Sequence, residues 1–262
     1  ERNFRNEIMI LPDKELVGKR FLKNKETYKK HAFIQKQVSE KLCVELCKFT
    51  TDIQKLLEIG CGVGFLTDYI LSHCSVGKYF ANDIISHMHS DIMHVFEKNS
   101  FDWYEFISGD AEKMSLPSDL NAVVSSSTFQ WFHDLPSFFV KTYESLQKQG
   151  MFAFSTFGPN NFIEIRKITG HGLRYLTMAQ LKALLQPYFT IEYAHEWTEK
   201  VMFNTPMDVL KHIQSTGVNS TNNSFFGKEH LQNFIKNYNR MYNENFQVHL
   251  TYNPIIIIAK KK

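Results

Sequence analysis

The feature that most constrains the fold is a glycine-rich turn that directly follows a short hydrophobic segment. The run Leu57-Glu58-Ile59-Gly60-Cys61-Gly62-Val63-Gly64 ends where a helix reaching Leu71 is predicted. Glycine adopts positive φ angles and lets the backbone approach a ligand closely, while the N-terminus of the following helix directs N–H groups toward that ligand. The run therefore predicts a buried strand over 55–59, a ligand-binding turn and a helix, which together form the first unit of an α/β sheet.

Predicted strands and helices continue to alternate through the first 160 residues. A helix over 26–49 is predicted because Ile34, Val38, Leu42 and Leu46 recur at every fourth position. Further hydrophobic strands, separated by helices such as one over 136–146, are predicted at 78–82, 103–107, 122–125 and 151–156. Alternation of this kind predicts right-handed crossovers and a mostly parallel sheet that is covered by helices on both faces.

The alternation breaks down in the second half of the chain. Helices are predicted over 177–185, with Thr177 as N-cap, and over 206–215 and 228–242, and a strand over 188–195. The last strand is predicted over 246–259, and because proline cannot donate to a strand ladder, Pro254 favours an edge position or a bulge. Residues 197–246 are therefore expected to form a helical insertion that caps the sheet and covers a ligand.

Composition excludes several classes of protein. The chain has 262 residues, of which 43% are hydrophobic and 22% charged, as is ordinary for a globular protein. It has no run approaching the roughly 20 apolar residues that span a bilayer, and no apolar signal segment follows its first residues. The four cysteines (Cys43, Cys47, Cys61 and Cys74) do not form a disulfide framework in a chain of this size, so we expect a cytoplasmic protein. Cys43 and Cys47 lie one helical turn apart and either line a buried helix face or form a metal-binding pair; we expect no metal.

Positive charge is concentrated near the N-terminus. The net charge of +3 is too small to indicate a nucleic-acid-binding protein. Residues 14–36, however, contain eight Lys or Arg and two Glu, and therefore carry +6. This stretch is either a solvated helix surface or a docking surface for an acidic partner.

Three acidic residues lie at or near the ends of predicted strands. Asp83 comes 23 residues after Gly60, close to the spacing of about 20 residues at which a carboxylate meets ribose hydroxyls. Asp110 follows the next strand, where it can accept a hydrogen bond from an adenine amino group, and Glu58 precedes the turn, where it can anchor a cationic amino-acid group. A dinucleotide fingerprint would require glycine at the position of Phe65. A purely structural turn remains an alternative.

This constellation resembles the class I S-adenosylmethionine-dependent methyltransferases. Residues 57–64 look like motif I of these enzymes, and Asp83 and Gly109-Asp110-Ala111 match the positions that usually hold ribose and adenine. The resemblance implies S-adenosylmethionine as the cofactor, with Ala111 and Ser125 also in contact with it. It also implies a Rossmann-like, mostly parallel sheet with an antiparallel last strand. Residues 1–49 are then N-terminal helices packing over the site, and 50–262 are the methyltransferase domain with its cap.

A narrower resemblance, in the expected order along the chain, is to the malonyl-acyl-carrier-protein O-methyltransferases of biotin synthesis. Ser126 in place of the usual Asn, and Asn121 in place of an acidic residue, depart from that family's pattern. The matching segments are Phe21, Thr27-Tyr28, His31-Ala32, Gln35, Ser125 to Trp131, Thr156-Phe157-Gly158-Pro159, Glu164-Ile165-Arg166, Arg174-Tyr175-Leu176, Leu210 to Asn219 and Leu250-Thr251-Tyr252.

The narrower resemblance implies methylation of the free carboxylate of a malonyl thioester on acyl carrier protein. A carboxylate with a pKa of about 4 is ionised at neutral pH, so no general base is needed. Arg166 or Arg174 is expected to hold this carboxylate bidentately, and Tyr28 to close the pocket. Gln130 and Trp131 are expected on the substrate side. The alternatives are surface ion pairs for the two arginines, a core aromatic role for Tyr28, and packing for Gln130 and Trp131.

Two other functions are compatible with the same motifs. The first is methylation of another small carboxylate or of a quinone precursor, which would not require the segments around Tyr28 and Leu210. The second is a binding protein without turnover, against which the intact glycine turn and its acidic residues argue. We expect no nucleic-acid or membrane partner.

Overall fold

The computed structural model describes residues 8–216 and 227–262, and they form two compact units. The sheet unit combines Phe33–Thr156, Thr177–Glu196 and Ile255–Lys262. The accessory unit combines the residues up to Ala32 with Phe157–Leu176 and Trp197–Pro254. The N-terminal helices are therefore divided between the two units after Ala32, whereas the sequence predicted a single boundary near residue 49.

The sheet unit is built on a seven-stranded sheet with the order β4-β3-β2-β5-β6-β12-β8. The strands β2 to β6 pair in parallel, and β12 runs antiparallel to β8. This confirms the predicted Rossmann-like sheet with an antiparallel last strand. The strands are β2 (Asp52–Ile59), β3 (Ser75–Asp83), β4 (Tyr104–Ser108), β5 (Leu120–Ser125), β6 (Leu146–Phe157), β8 (Phe189–Glu196) and β12 (Pro254–Lys261).

Helices and aromatic side chains enclose this sheet. The predicted cap of α8 is confirmed, because Thr177 and Gln180 form a reciprocal capping box. Five phenylalanines (Phe129, Phe139, Phe152, Phe154 and Phe189) pack with neighbouring ring centroids 4.9–6.1 Å apart. The helices of the unit are α3 (Phe33–Leu46), α4 (Phe65–His73), α5 (Met88–Lys98), α6 (Leu135–Ser145) and α8 (Met178–Leu185), with a 3₁₀ helix over Phe129–Trp131.

The prediction of one final strand over 246–259 was wrong. The chain forms β11 (Gln247–Tyr252), breaks at Asn253, and continues as β12 in a different sheet. The four isoleucines Ile255–Ile258 are fully buried, and because successive side chains point to opposite faces, such a run fits a strand covered on both faces. This strand, β12, lies between β6 and β8. Pro254 is the first residue of β12, where its missing N–H costs no ladder bond.

The accessory unit is mainly helical. The single helix predicted over 26–49 was wrong in its boundaries, because the chain leaves helical geometry at Ala32, with φ −83° and ψ 45°. Among the described residues, no helix is long and apolar enough to cross a membrane. The elements of the unit are α1 (Lys14–Lys23), α2 (Lys25–His31), α7 (Ile163–Thr169), α9 (Pro206–Ser215) and α10 (Lys228–Tyr242), with β1 (Ile8–Ile10) paired to β7 (His171–Leu173), and β9 (Glu199–Phe203) and β10 (Asn243–Glu244) paired to β11.

Candidate active site

The glycine turn between β2 and α4 has the backbone conformation that its sequence predicted. Gly60, Gly62 and Gly64 have φ angles of +69°, +51° and +85°, which side-chain-bearing residues rarely adopt. A Cβ atom on Gly60 would lie 2.3 Å from Oγ1 of Thr128, and one on Gly64 would lie 2.7 Å from Cγ2 of Val95. Glycine is therefore required at both positions by conformation and by space.

Asp83, the last residue of β3, holds this turn in place. Its carboxylate accepts hydrogen bonds from the N–H of Gly62 and from the N–H of Ile85, both at 2.8 Å. Burial raises the pKa of Asp83 to about 6, although these N–H donors oppose the shift. Because a carboxylate has about four lone-pair positions, Asp83 retains the capacity to accept from hydroxyl groups of a ligand.

The loop after β4 lies beside the end of β3. The N–H of Gly109 donates to the carbonyl of Asp83 at 2.9 Å, and Asp110 Oδ1 accepts from the N–H of Glu112 at 3.1 Å. Ala111 is buried, with 3% of its surface exposed. The structure therefore brings Asp83, Asp110 and Ala111 together at neighbouring strand ends, as the parallel order of β3 and β4 requires.

Glu58 and Ser125, both predicted as cofactor contacts, are bonded to the protein itself. Oε2 of Glu58 accepts hydrogen bonds from the hydroxyls of Thr67 and Tyr79, each at 2.5 Å. Burial raises the pKa of Glu58 to about 7, and 1% of the residue is exposed. The fully buried Ser125 donates to the carbonyl of Ile59 at 2.9 Å. Both side chains brace the strand that leads into the glycine turn, and direct contact with the cofactor stays a prediction for them.

The segment after β5 contains functional candidates that the sequence analysis did not single out. The hydroxyl of Thr128 donates to the carbonyl of Gly60 at 3.4 Å. Ser127 has a φ of +53°, rare for a residue other than glycine. The serine-rich composition of this segment, at the end of a buried strand, is the signal that would have drawn attention to it.

Gln130 and Trp131, predicted on the substrate side, follow in the 3₁₀ helix. Gln130 Nε2 donates to the carbonyl of Ser127 at 2.5 Å, and the N–H of Trp131 donates to the carbonyl of Thr128 at 3.0 Å. Both residues are half-buried. They hold the segment after β5 in shape, and their contact with substrate stays a prediction.

The other predicted substrate residues belong to the accessory unit. Tyr28 is half-buried on α2, with its ring centroid 4.6 Å from that of Phe21. Arg166 is half-buried on α7, and its side chain lies close to Gly172, where an added Cβ would be 3.2 Å from Cδ of Arg166. Arg174, by contrast, is exposed.

Two tyrosines with polar partners accompany these residues within the accessory unit. The Tyr252 hydroxyl lies 2.7 Å from Nε2 of His212, and Asn161 donates to the Tyr175 hydroxyl at 3.0 Å. Burial raises the pKa of Tyr175 to about 12 despite the opposing charge of Arg166, and burial lowers the pKa of His212 to about 4. Tyr175, His212 and Tyr252 entered the sequence analysis only as parts of motifs, and the last residues of one motif, 217–219, lie outside the described residues.

The cysteines are free thiols. Sγ of Cys47 lies 3.4 Å from Sγ of Cys74 and 3.9 Å from Sγ of Cys43. Within the part of the chain that the structure describes, no group of three or more His, Cys, Asp or Glu residues could hold a metal ion.

Comparison with known proteins identifies the family. Residues 57–154 match a family model described as a methyltransferase domain. A malonyl-[acyl-carrier protein] O-methyltransferase of Bacteroides helcogenes is 36% identical, over 95% of this chain and 99% of its own length. The enzyme of the same name from Calditerrivibrio nitroreducens is also 36% identical, over 89% of this chain and 91% of its own.

Solved structures share the fold at much lower identity. The YcgJ protein of Bacillus subtilis has a TM-score of 0.63 at 14% identity, over 86% of this chain and 98% of its own. The N-methyltransferase NodS of Bradyrhizobium japonicum, in complex with S-adenosylhomocysteine, has a TM-score of 0.50 at 9% identity, over 84% of this chain and 85% of its own. The glycine turn and the acidic strand ends agree with relatives that match almost the whole chain. This protein therefore belongs to the malonyl-[acyl-carrier protein] O-methyltransferase family and is an S-adenosylmethionine-dependent O-methyltransferase.

Proposed function

We propose that this enzyme transfers a methyl group from S-adenosylmethionine to the free carboxylate of a malonyl thioester on acyl carrier protein. The product is the methyl ester that primes pimeloyl synthesis for biotin. The observation that carries the proposal is the extent of the similarity, which covers 95% of the chain and not only the methyltransferase domain over 57–154. Because the accessory segments are included, the similarity supports the acceptor as well as the cofactor.

The residues around the glycine turn suit the cofactor. Asp83 has acceptor capacity beyond its two N–H partners and is proposed to bind the ribose hydroxyls. Asp110 and Ala111 are proposed to border the adenine, and Gly60 and Gly62 to leave room for close approach. When bound, S-adenosylmethionine supplies an electrophilic methyl group on a sulfonium centre. Glu58 and Ser125 are proposed to act through the shape of the turn.

The acceptor carboxylate makes few chemical demands on the protein. It is ionised at neutral pH, so no residue needs to remove a proton. The protein's task is to orient the carboxylate and to exclude water. Arg166, half-buried beside Tyr175, is a better candidate for this task than the exposed Arg174, because partial burial strengthens a bidentate guanidinium–carboxylate pair. Tyr28, Gln130 and Trp131 are proposed to complete the substrate side.

Methyl transfer to the proposed acceptor can be measured directly. Incubation with methyl-labelled S-adenosylmethionine and malonyl-acyl-carrier protein should give a base-labile methyl ester. Arg166→Lys should lower turnover by about tenfold or more, because lysine cannot reproduce the two parallel hydrogen bonds of a guanidinium. Arg174→Lys is the matched control and should have little effect. Labelling of another small carboxylate or of a quinone precursor, with none on malonyl-acyl-carrier protein, would refute the proposed acceptor.

The basic stretch over residues 14–36 is proposed to dock the acidic carrier protein. It forms α1 and α2 and continues into α3, with a net charge of +6. Lys19 pairs with Glu15 at 2.5 Å, and both side chains are more than 70% exposed. Exposed pairs of this kind contribute little to stability. The exposed lysines Lys19, Lys23 and Lys29 can therefore be changed with little effect on folding.

Charge reversal tests the docking surface. The combined change Lys19→Glu, Lys23→Glu and Lys29→Glu should raise the KM for malonyl-acyl-carrier protein by about 3- to 10-fold, because electrostatic attraction acts mainly on the association rate. The KM for malonyl-coenzyme A should stay nearly constant, since that small thioester needs no protein surface. An equal rise in KM for both substrates would indicate damage to the pocket. No rise in KM for either would show that the stretch is an ordinary solvated surface.

A further inference from the structure

Two buried polar atoms of the sheet unit have no hydrogen-bond partner among the described residues. They are Oε1 of Gln35, on α3, and Oγ of Ser127, after β5. Gln35 is 5% exposed. A buried polar atom without a partner is costly, and in a native protein it usually meets a ligand or an ordered water molecule.

A chain of hydroxyl groups links the two residues. The Ser39 hydroxyl donates to the carbonyl of Gln35 at 2.9 Å and lies 2.9 Å from the hydroxyl of Ser126. The Ser126 hydroxyl lies 3.0 Å from that of Ser155, which accepts from the N–H of Ser127 at 3.0 Å. The connected groups come from α3, from the segment after β5 and from β6, so they fix Gln35 and Ser127 in one polar region.

Ser127 also borders the glycine turn. Its left-handed backbone is held at the N–H by Ser155 and at the carbonyl by Gln130. The next residue, Thr128, lies against the carbonyl of Gly60. The carboxyl ends of β5 and β6 are where a parallel sheet of this type binds its ligands.

The hydrogen-bonding capacities of Gln35 and Ser127 determine which ligand they can bind. Oε1 of Gln35 accepts hydrogen bonds and therefore needs a donor, whereas the hydroxyl of Ser127 can donate to an anion. An α-amino acid offers an ammonium donor and a carboxylate acceptor on adjacent atoms. The malonyl end of the acceptor offers only oxygen acceptors. Glu58, which the sequence suggested for the ammonium group, is buried and already accepts from two hydroxyls.

We propose that Gln35 and Ser127 bind the α-amino-acid end of S-adenosylmethionine. Gln35 accepts from the ammonium group, and Ser127 donates to the carboxylate. Ser39, Ser126, Ser155 and Gln130 position these two residues. The inference rests on the cofactor site of the proposed function and not on its acceptor.

Two ligands that differ in this end test the proposal. S-Adenosylhomocysteine carries the amino-acid group, and 5′-methylthioadenosine lacks it. By calorimetry, Gln35→Met and Ser127→Ala should each weaken S-adenosylhomocysteine binding by about tenfold, which corresponds to about 1.4 kcal/mol. Neither change should alter binding of 5′-methylthioadenosine. Binding is measured without an acceptor, so failure of malonyl-acyl-carrier protein as a substrate would leave this result intact.

Matched variants separate contact from folding. Gln35→Glu keeps an acceptor oxygen and should bind S-adenosylhomocysteine at least as tightly as the unchanged protein. Asp83→Ala should weaken both ligands, because both contain the ribose. Equal weakening of both ligands by Gln35→Met and Ser127→Ala, or no weakening of either, would overturn the proposal. A loss in Gln35→Glu as large as that in Gln35→Met would overturn the assignment of the ammonium group to Gln35.

Discussion

The buried side chains of the accessory unit are more often polar than those of the sheet unit. The centre of the sheet unit is apolar, with fully buried isoleucines in β12 and ring contacts around Phe152, and the buried Glu58 and Asp83 lie beside the glycine turn. In the accessory unit, buried polar residues pair with one another. Besides His212 with Tyr252, the buried Glu164 accepts from the N–H of Thr251 at 3.1 Å and from its hydroxyl.

The two units are also assembled differently along the chain. The sheet unit takes most of its residues from one continuous segment, in which alternating strands and helices bury apolar faces as they form. The polar pairs of the accessory unit join segments that are distant in the chain: His212 and Tyr252 are 40 residues apart, and Glu164 and Thr251 are 87 apart. Buried hydrogen bonds contribute modestly to stability, but they are costly to leave unmade, so they select which segments pair.

One buried group in each unit makes the stability depend on pH, and the two dependences have opposite directions. In the sheet unit, burial raises the pKa of Glu58 from 4.5 to about 7, so the free energy of unfolding falls as pH rises through that window. In the accessory unit, burial lowers the pKa of His212 from 6.5 to about 4, so the free energy of unfolding falls as pH decreases through that window.

The largest expected effect is in the apolar core of the sheet unit. Phe152→Ala should lower the free energy of unfolding by about 3–5 kcal/mol, because it removes a fully buried ring and leaves a cavity. Chemical denaturation monitored by circular dichroism measures this loss. A loss below about 1 kcal/mol would contradict the view that the ring contacts of Phe152 stabilise this unit.

The next effect concerns the buried acid beside the glycine turn. Glu58→Gln keeps an oxygen acceptor for Thr67 and Tyr79 but removes the ionisation. As pH rises from 4.5 to 7, the free energy of unfolding of the unchanged protein should fall by about 2–4 kcal/mol relative to that of this variant. Free energies of unfolding measured across this range test the prediction, with the exposed Glu144→Gln as control. Parallel pH profiles for Glu58→Gln and the unchanged protein would show that the Glu58 pKa is not raised.

The smallest effect is in the accessory unit. Tyr252→Phe should lower the free energy of unfolding by about 1–2 kcal/mol, because it removes the hydroxyl that meets Nε2 of His212 in a buried setting. Tyr193→Phe, at a half-buried position on β8, is the matched control and should change stability by less than about 0.5 kcal/mol. If the two variants behaved alike, the buried pair would have no measurable part in stabilising the accessory unit.

The sequence by itself determined the features that depend on neighbours along the chain. The positive φ angles at Gly60, Gly62 and Gly64 and the N-cap at Thr177 follow from local chemistry. Asp83 and Asp110 lie at one edge of the sheet because the carboxyl ends of neighbouring parallel strands meet there.

Only the tertiary structure decided the features that depend on distant residues. Periodicity continued across Ala32 and across Asn253, yet the chain breaks at both places, since the segments on either side belong to different compact units. The unpartnered oxygen of Gln35 and the buried pair of His212 with Tyr252 were likewise invisible in the sequence. Hydrophobic patterns report which face of an element is buried, but the partner of a buried polar atom is set by segments that meet only after folding.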